Sequence, residues 1–279
     1  MATSVFLMVI ASAALHAGWN ALLKIGLDRF LTVSLIQIGA GTVALLALPF
    51  VAMPSADTWP WIVLSVLLHI GYNIFLCRAY RYGDLGQVYP ISRGSSPLLV
   101  AGLSVLLLGE VLPAGQLLGL AVLVAGIWLM AVRGGSEKAN RGLLFSAFMT
   151  ALFIAAYTLS DASGARTNGD AISYSVWMFV MNGLSMALVL LCQRGPRIVR
   201  ELGPHWRAGL LGGAMSMLAY TIVIWAMTQA PVALVSALRE TSVVFALLIG
   251  RLWLGESLPP IRLLACLIIL AGVASMKLA

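Results

Sequence analysis

Two arginines stand inside long apolar runs of this sequence, where a positive charge needs a reason to be. Arg93 and Arg239 hold the same place in a stretch that occurs twice, RGSSPLLVAGLSVLLLGEVLP from Arg93 to Pro113 and RETSVVFALLIGRLWLGESLP from Arg239 to Pro259. An arginine at the centre of a bilayer costs at least about 2.5–3.5 kcal/mol on insertion scales, so it faces protein or a wet cavity. Each sits about seven residues into its apolar run, roughly 10 Å deep at 1.5 Å per residue. A guanidinium there either holds an anionic group or pairs with a carboxylate or a helix end. Glu240 follows Arg239 directly, and adjacent helical residues point about 100° apart, so the two need not pair with each other. A buried carboxylate there either carries a coupling proton or is a structural partner for an arginine.

Polar stripes accompany these charges. Ser12, His16, Asn20 and Lys24 recur at four-residue steps with Trp19 beside them, and Ser65, His69, Asn73 and, seven residues on, Tyr80 form a similar stripe with Tyr72 adjacent. Thr150, Tyr157 and Asp161 approximate a third stripe, and Ser216 with Tyr220 begins a fourth. Residues three and four apart share one face of a helix. Any single member is explained by hydrogen bonding between helices. Several stripes in one small bundle point instead to a shared wet cavity. His16 and His69 have the side chain whose charge changes near neutral pH.

The elements that position these residues follow from composition. Of 279 residues, 61% are hydrophobic and 10% charged. A soluble domain carries about a quarter charged residues, so much of this surface must face lipid. The net charge of +7 is scattered through short gaps between apolar runs, which suits membrane orientation rather than nucleic acid. Cys77, Cys192 and Cys266 have no ligand spacing between them, so neither a metal site, a cofactor nor a disulfide framework is expected. Ala11-Ser12-Ala13 resembles a signal-peptidase site, but no basic segment precedes it and the apolar run continues to Leu23, which favours a retained first helix.

A spanning helix needs about 20 mostly apolar residues. Ten segments satisfy this: Ser4–Leu23, Leu31–Met53, Trp59–Ala79, Gly86–Leu108, Pro113–Val132, Gly142–Ser160, Ile172–Cys192, Trp206–Met227, Val232–Leu254 and Pro259–Leu278. Pro90 and Pro97 are expected to interrupt the fourth, and Pro231 to start the ninth. At Gly109-Glu110 and Gly255-Glu256, glycine should end one helix and the carboxylate should sit at the positive start of the next. The widest break, Arg133 to Arg141, divides the chain into a first five-helix repeat (1–132), a connecting loop (133–141) and a second repeat (142–279). Five is odd, so the second copy must enter the membrane from the opposite side. The fold class expected is an all-α integral membrane protein, ten transmembrane helices in two inverted five-helix repeats, as secondary transporters often have.

Basic residues cluster in the loops after the odd-numbered helices, and only Arg166 and Lys277 fall on the other side. The positive-inside rule then makes the first side cytoplasmic and puts both termini outside. The densest basic run, Arg194 to Arg207, suits anionic lipid headgroups. Motifs for a membrane enzyme (HExxH, GxSxG or an aspartate pair at matched depth) are not found.

The doubled LLLGE-x-LP and LWLGE-x-LP turn, each followed by a helix with LLG…AG (Leu117–Gly126) or LLA…AG (Leu263–Gly272), resembles the EamA-type members of the drug/metabolite transporter superfamily. HAGWNALLK, from His16 to Lys24, fits the same resemblance. It covers nearly the whole chain, and it implies a carrier of small metabolites working by alternating access, often outwards. It transfers no binding residue.

The residues themselves supply the site. Arg239 and Arg93 would hold an anionic group, with Trp19, Asn20, Tyr72, Asn73, Tyr157 and Tyr220 as the wall. Glu240, His16, His69 or Asp161 would carry a coupling proton. The expected substrate is an amino acid or related organic anion or zwitterion, carried across the cytoplasmic membrane, outwards, by a monomer or homodimer. The alternative is a proton-coupled exporter of organic cations, in which Glu240 and Asp161 bind the substrate and the arginines are structural.

Overall fold

The computed structural model of the chain describes residues 1–21, 29–82, 85–131, 141–253 and 259–279. Among these there is no strand. The helices are α1 (Thr3–Ala21), α2 (Arg29–Ala47), α3 (Trp59–Tyr82), α4 (Leu85–Leu108), α5 (Ala114–Ala131), α6 (Arg141–Asn168), α7 (Ala171–Arg194), the short α8 (Ile198–Leu202), α9 (Trp206–Gln229), α10 (Val232–Arg239), α11 (Ser242–Trp253) and α12 (Pro260–Leu278). Within the described residues nine helical stretches are long and apolar enough to cross a membrane, and α5 is a shorter apolar one. The protein is a multi-pass membrane protein. Lys24, most of the 133–141 loop and the Gly255-Glu256 turn lie outside the described residues.

Backbone groups in lipid must be satisfied internally, which is why the spans are helical. Where the helices cross closely, small residues let the backbones approach. α2 lies between α7 and α9, α3 packs on α6, and α5 on α12. Gly41 and Gly183 meet where α2 crosses α7, and a Cβ on either would stand 2.7 Å from the other's Cα. Gly39 and Gly213 meet backbone in the α2–α9 crossing. α8 tucks Ile198 against Leu31 and Leu190, so the basic run between α7 and α9 is anchored at one apolar point.

Four expectations from the sequence need correction. Pro90 and Pro97 do not interrupt α4, which runs unbroken from Leu85 to Leu108. Pro97 cannot bond the carbonyl of Arg93, and the Ser96 hydroxyl donates to that carbonyl at 3.3 Å instead. Conversely, the ninth segment is not one helix. It breaks at Glu240 and Thr241, where the bonds tighten to Glu240 N–H→Ala237 (3.0 Å) and Thr241 N–H→Leu238 (3.1 Å) before α11 begins.

α6 does not stop at Ser160. It continues for two more turns to Asn168, through Gly164, where Tyr174 and Trp61 pack against the backbone, until Gly169, at φ +74°, ends it. Asp161 therefore lies deep in α6 and is fully buried. Finally, Gly109 does end α4's turn with φ +65°, but Glu110 does not serve the helix that follows it. Both of its carboxylate oxygens accept from the backbone N–H of Val232, each at 2.9 Å, at the start of α10. Arg166 donates to the same carboxylate at 3.1 Å and to the Met227 carbonyl at the end of α9.

Candidate functional site

The polar stripes converge. α1 contributes Ser12, His16, Trp19 and Asn20 to a central cavity of about 140 Å³, and α3 contributes His69, Tyr72, Leu76 and Tyr80. α6 adds Thr150 and Tyr157, α9 adds Ser216 and Tyr220, and the arginines enter from α4 (Arg93) and from the end of α10 (Arg239). Some stripe members are spent on backbone carbonyls. Ser12 donates to the Ala219 carbonyl at 2.7 Å, Asn20 to His16 at 2.7 Å, and Thr150 to Ser146 at 2.7 Å.

The remaining wall is aromatic. His69 stacks on Tyr157 with ring centroids 4.1 Å apart, and Tyr72 and Tyr220 meet Tyr157 edge-on at 5.8 and 6.0 Å. His16 meets Trp19 edge-on at 5.0 Å. The His69 ring is fixed from behind, its Nδ1 lying 2.9 Å from the Ser65 carbonyl.

The two arginines differ in their commitments. Arg93 Nε lies 3.1 Å from Glu240 Oε2, and both side chains are buried. Arg239 lies over the Tyr220 ring, its guanidinium carbon 5.1 Å from the centroid, and among the described residues it has no carboxylate within ion-pair distance. Among the described residues that line the cavity there is no carboxylate. The wall thus presents one paired and one unpaired guanidinium in a setting of aromatic faces, a concave site with a small number of polar groups.

Three residues singled out from the sequence are not on the wall. Glu240 is behind it, held on Arg93. Asp161 is behind Tyr220, accepting from the Tyr220 hydroxyl at 2.6 Å and the Tyr174 hydroxyl at 2.9 Å. Asn73 turns its amide to the Met186 sulfur at 3.9 Å. The cavity also includes residues that the stripes did not reveal: Gln37 from α2, Ser92 from α4, and Phe179 and Asn182 from α7. Among the described residues, the amide oxygens of Gln37 and Asn182 and the Ser92 hydroxyl are buried without a hydrogen-bond partner. Each amide lies in the middle of an apolar helix near a glycine, Gly39 or Gly183, and that pairing of small and polar residues was the available signal.

Comparison with known proteins agrees with this architecture. The model of the EamA-like transporter family matches residues 3–132 and 141–277. A protein of Brucella anthropi described as a riboflavin transporter is 32% identical over 102 residues, a stretch covering 37% of this chain and 35% of that protein. A solved crystal structure superposes with a TM-score of 0.76 over 99% of this chain and 96% of that one, at 21% identity, which shows a shared fold. Matched over both halves, with apolar spanning helices around a central polar cavity, the chain belongs to the EamA-like transporter family.

Proposed function

We propose that this family member is a secondary carrier of a small anionic or zwitterionic metabolite, an amino acid or related organic acid, and that it exports by alternating access. One observation carries the reading. Arg239 presents to the cavity a guanidinium that, among the described residues, has no carboxylate within ion-pair distance. A buried cation of that kind favours an anionic guest. A cation exporter gains no such support, because Glu240 and Asp161 are committed to Arg93 and to two tyrosines. Any coupling proton falls to His16 or His69, which border the cavity.

The reading includes two inverted repeats (1–132 and 142–279), both termini outside, and residence in the cytoplasmic membrane. Packing supports the repeat, because several of the helix pairs have a counterpart in the other half. α3 on α6 corresponds to α9 on α1, α4 on α6 to α11 on α1, and α2–α7 and α5–α12 are each their own counterpart. Loop charge supports the orientation. Cavity residues reach the ends of α1 and α3 at Asn20 and Tyr80, on the side of the basic loops, which supports loading from the cytoplasm.

The test is a thermal-shift panel of amino acids, organic anions, organic cations and riboflavin on wild type and Arg239→Gln. A ligand at a hundred times its dissociation constant adds about 2.7 kcal/mol to the folded state. Stabilisation by anions or zwitterions that disappears in Arg239→Gln is expected; stabilisation by cations alone would sink the proposal. A second reading, a neutral planar heterocycle, is favoured by the ring-lined wall and by the name of the riboflavin-transporting relative. Riboflavin stabilising both proteins equally would select it.

A further inference from the structure

We infer that Asp161 is a positioning residue for the anion site: it never touches the solute, but fixes Tyr220, whose ring face holds the Arg239 guanidinium. The inference rests on the anion-carrier reading for its effect on binding, and on geometry alone for its effect on Arg239.

The geometry is a relay across three helices. Asp161 in α6 has no exposed surface. Its two oxygens are divided, one accepting from Tyr174 of α7 at 2.9 Å and the other from Tyr220 of α9 at 2.6 Å. An O–H···O⁻ bond of that length is in the short, charge-assisted class. It removes the freedom of the Tyr220 ring and draws the hydroxyl proton toward the carboxylate, which leaves the ring richer in electrons. Arg239, at the end of α10, stands over that ring at 5.1 Å, within the range of a cation–π contact. Among the described residues no carboxylate lies within ion-pair distance of the guanidinium to hold it there. Tyr220 is thus the surface against which the binding charge is set, and Asp161 sets the surface. With both oxygens occupied and the group outside the cavity wall, Asp161 is not disposed to ligate a solute.

The test uses the purified full chain with labelled arginine. The Nε–Hε signal of Arg239 is assigned as the one missing from Arg239→Gln. In wild type and in Asp161→Asn, whose amide can still bond both tyrosines, that signal should be displaced by the ring current of Tyr220. In Asp161→Ala and in Tyr220→Phe it should return toward the signals of exposed arginines. Sodium benzoate serves as the anionic probe and benzamide as its neutral counterpart. Loss of a desolvated cation–π contact corresponds to about a tenfold change in affinity, so benzoate half-saturation should rise about tenfold in Asp161→Ala while that of benzamide stays unchanged. An Arg239 signal unmoved by Asp161→Ala and Tyr220→Phe would overturn the inference, as would a loss of flux in Asp161→Asn with benzoate binding intact, the mark of a proton carrier. If Asp161→Ala does not fold, Tyr220→Phe carries the comparison. Should the signal respond to the mutations but never to benzoate, the relay stands and the anion-carrier reading fails.

Discussion

Glu240 pairs with Arg93, at 3.1 Å across the α4–α10 contact, and not with Arg239, its neighbour in the chain. The consequence is a division of labour between two arginines that hold equivalent places in the sequence. One is neutralised by the protein, and the other is left with a ring face and the cavity.

Glu240→Gln therefore acts on stability before it acts on binding. Breaking a buried ion pair from one side costs about 3–5 kcal/mol. The glutamine amide can still accept from Arg93 and the arginine borders the cavity, so a loss of about 2–3 kcal/mol is expected. In denaturant unfolding, the double variant Arg93→Gln/Glu240→Gln should lose less than the sum of the singles. A Glu240→Gln protein as stable as wild type would show the pair to be idle.

The Glu110 carboxylate makes a prediction with a graded outcome. Its bonds to Val232 N–H act as a cap brought from another part of the chain, worth about 1 kcal/mol. The Arg166 side chain is 37% exposed, and an ion pair that open adds little. Glu110→Gln should therefore cost well under the roughly 1–2 kcal/mol of Glu110→Ala. Equal thermal losses for both would mean that the charge, not the cap, matters.

Asn182 sets stability against function. Its amide oxygen is buried without a hydrogen-bond partner among the described residues, a condition that costs about 1–3 kcal/mol. Asn182→Leu should raise the unfolding free energy of the empty protein by about 1 kcal/mol while weakening solute binding. A variant that gains stability and keeps full affinity would remove Asn182 from the site.

Two glycines should respond in opposite directions. A Cβ at Gly41 would stand 2.7 Å from the backbone of Gly183, and backbone cannot swing aside. Gly41→Ala should cost about 1–3 kcal/mol by forcing α2 and α7 apart. Gly102 in α4 has nothing within 4 Å of a Cβ, so Gly102→Ala should gain about 0.5–1 kcal/mol from the helix alone. Thermal unfolding of the two variants side by side checks the α2–α7 crossing.

What the sequence determined by itself was local in origin. Apolar length specified the spanning segments, because a bilayer demands about 20 such residues whatever the neighbours are. Helical spacing put His16 with Asn20 (four residues) and His69 with Tyr80 (eleven, about three turns) on inward faces, because helical geometry needs no tertiary information. Arg93 and Arg239 announced a protected environment by their cost alone. Only the tertiary structure decided which groups meet. Periodicity fixes the face on which a side chain lies but not the helix opposite, and that choice depends on where glycines let backbones approach. So Glu110 reached α10 rather than α5, Asp161 took two tyrosines rather than the cavity, and Gln37 and Asn182 joined the wall from helices with no stripe. The breaks in the helices were decided in the same way. Pro97 is carried inside α4 because Ser96 serves the carbonyl that it leaves open, while the ninth span, with no proline within it, turns at Glu240 where its carboxylate meets Arg93.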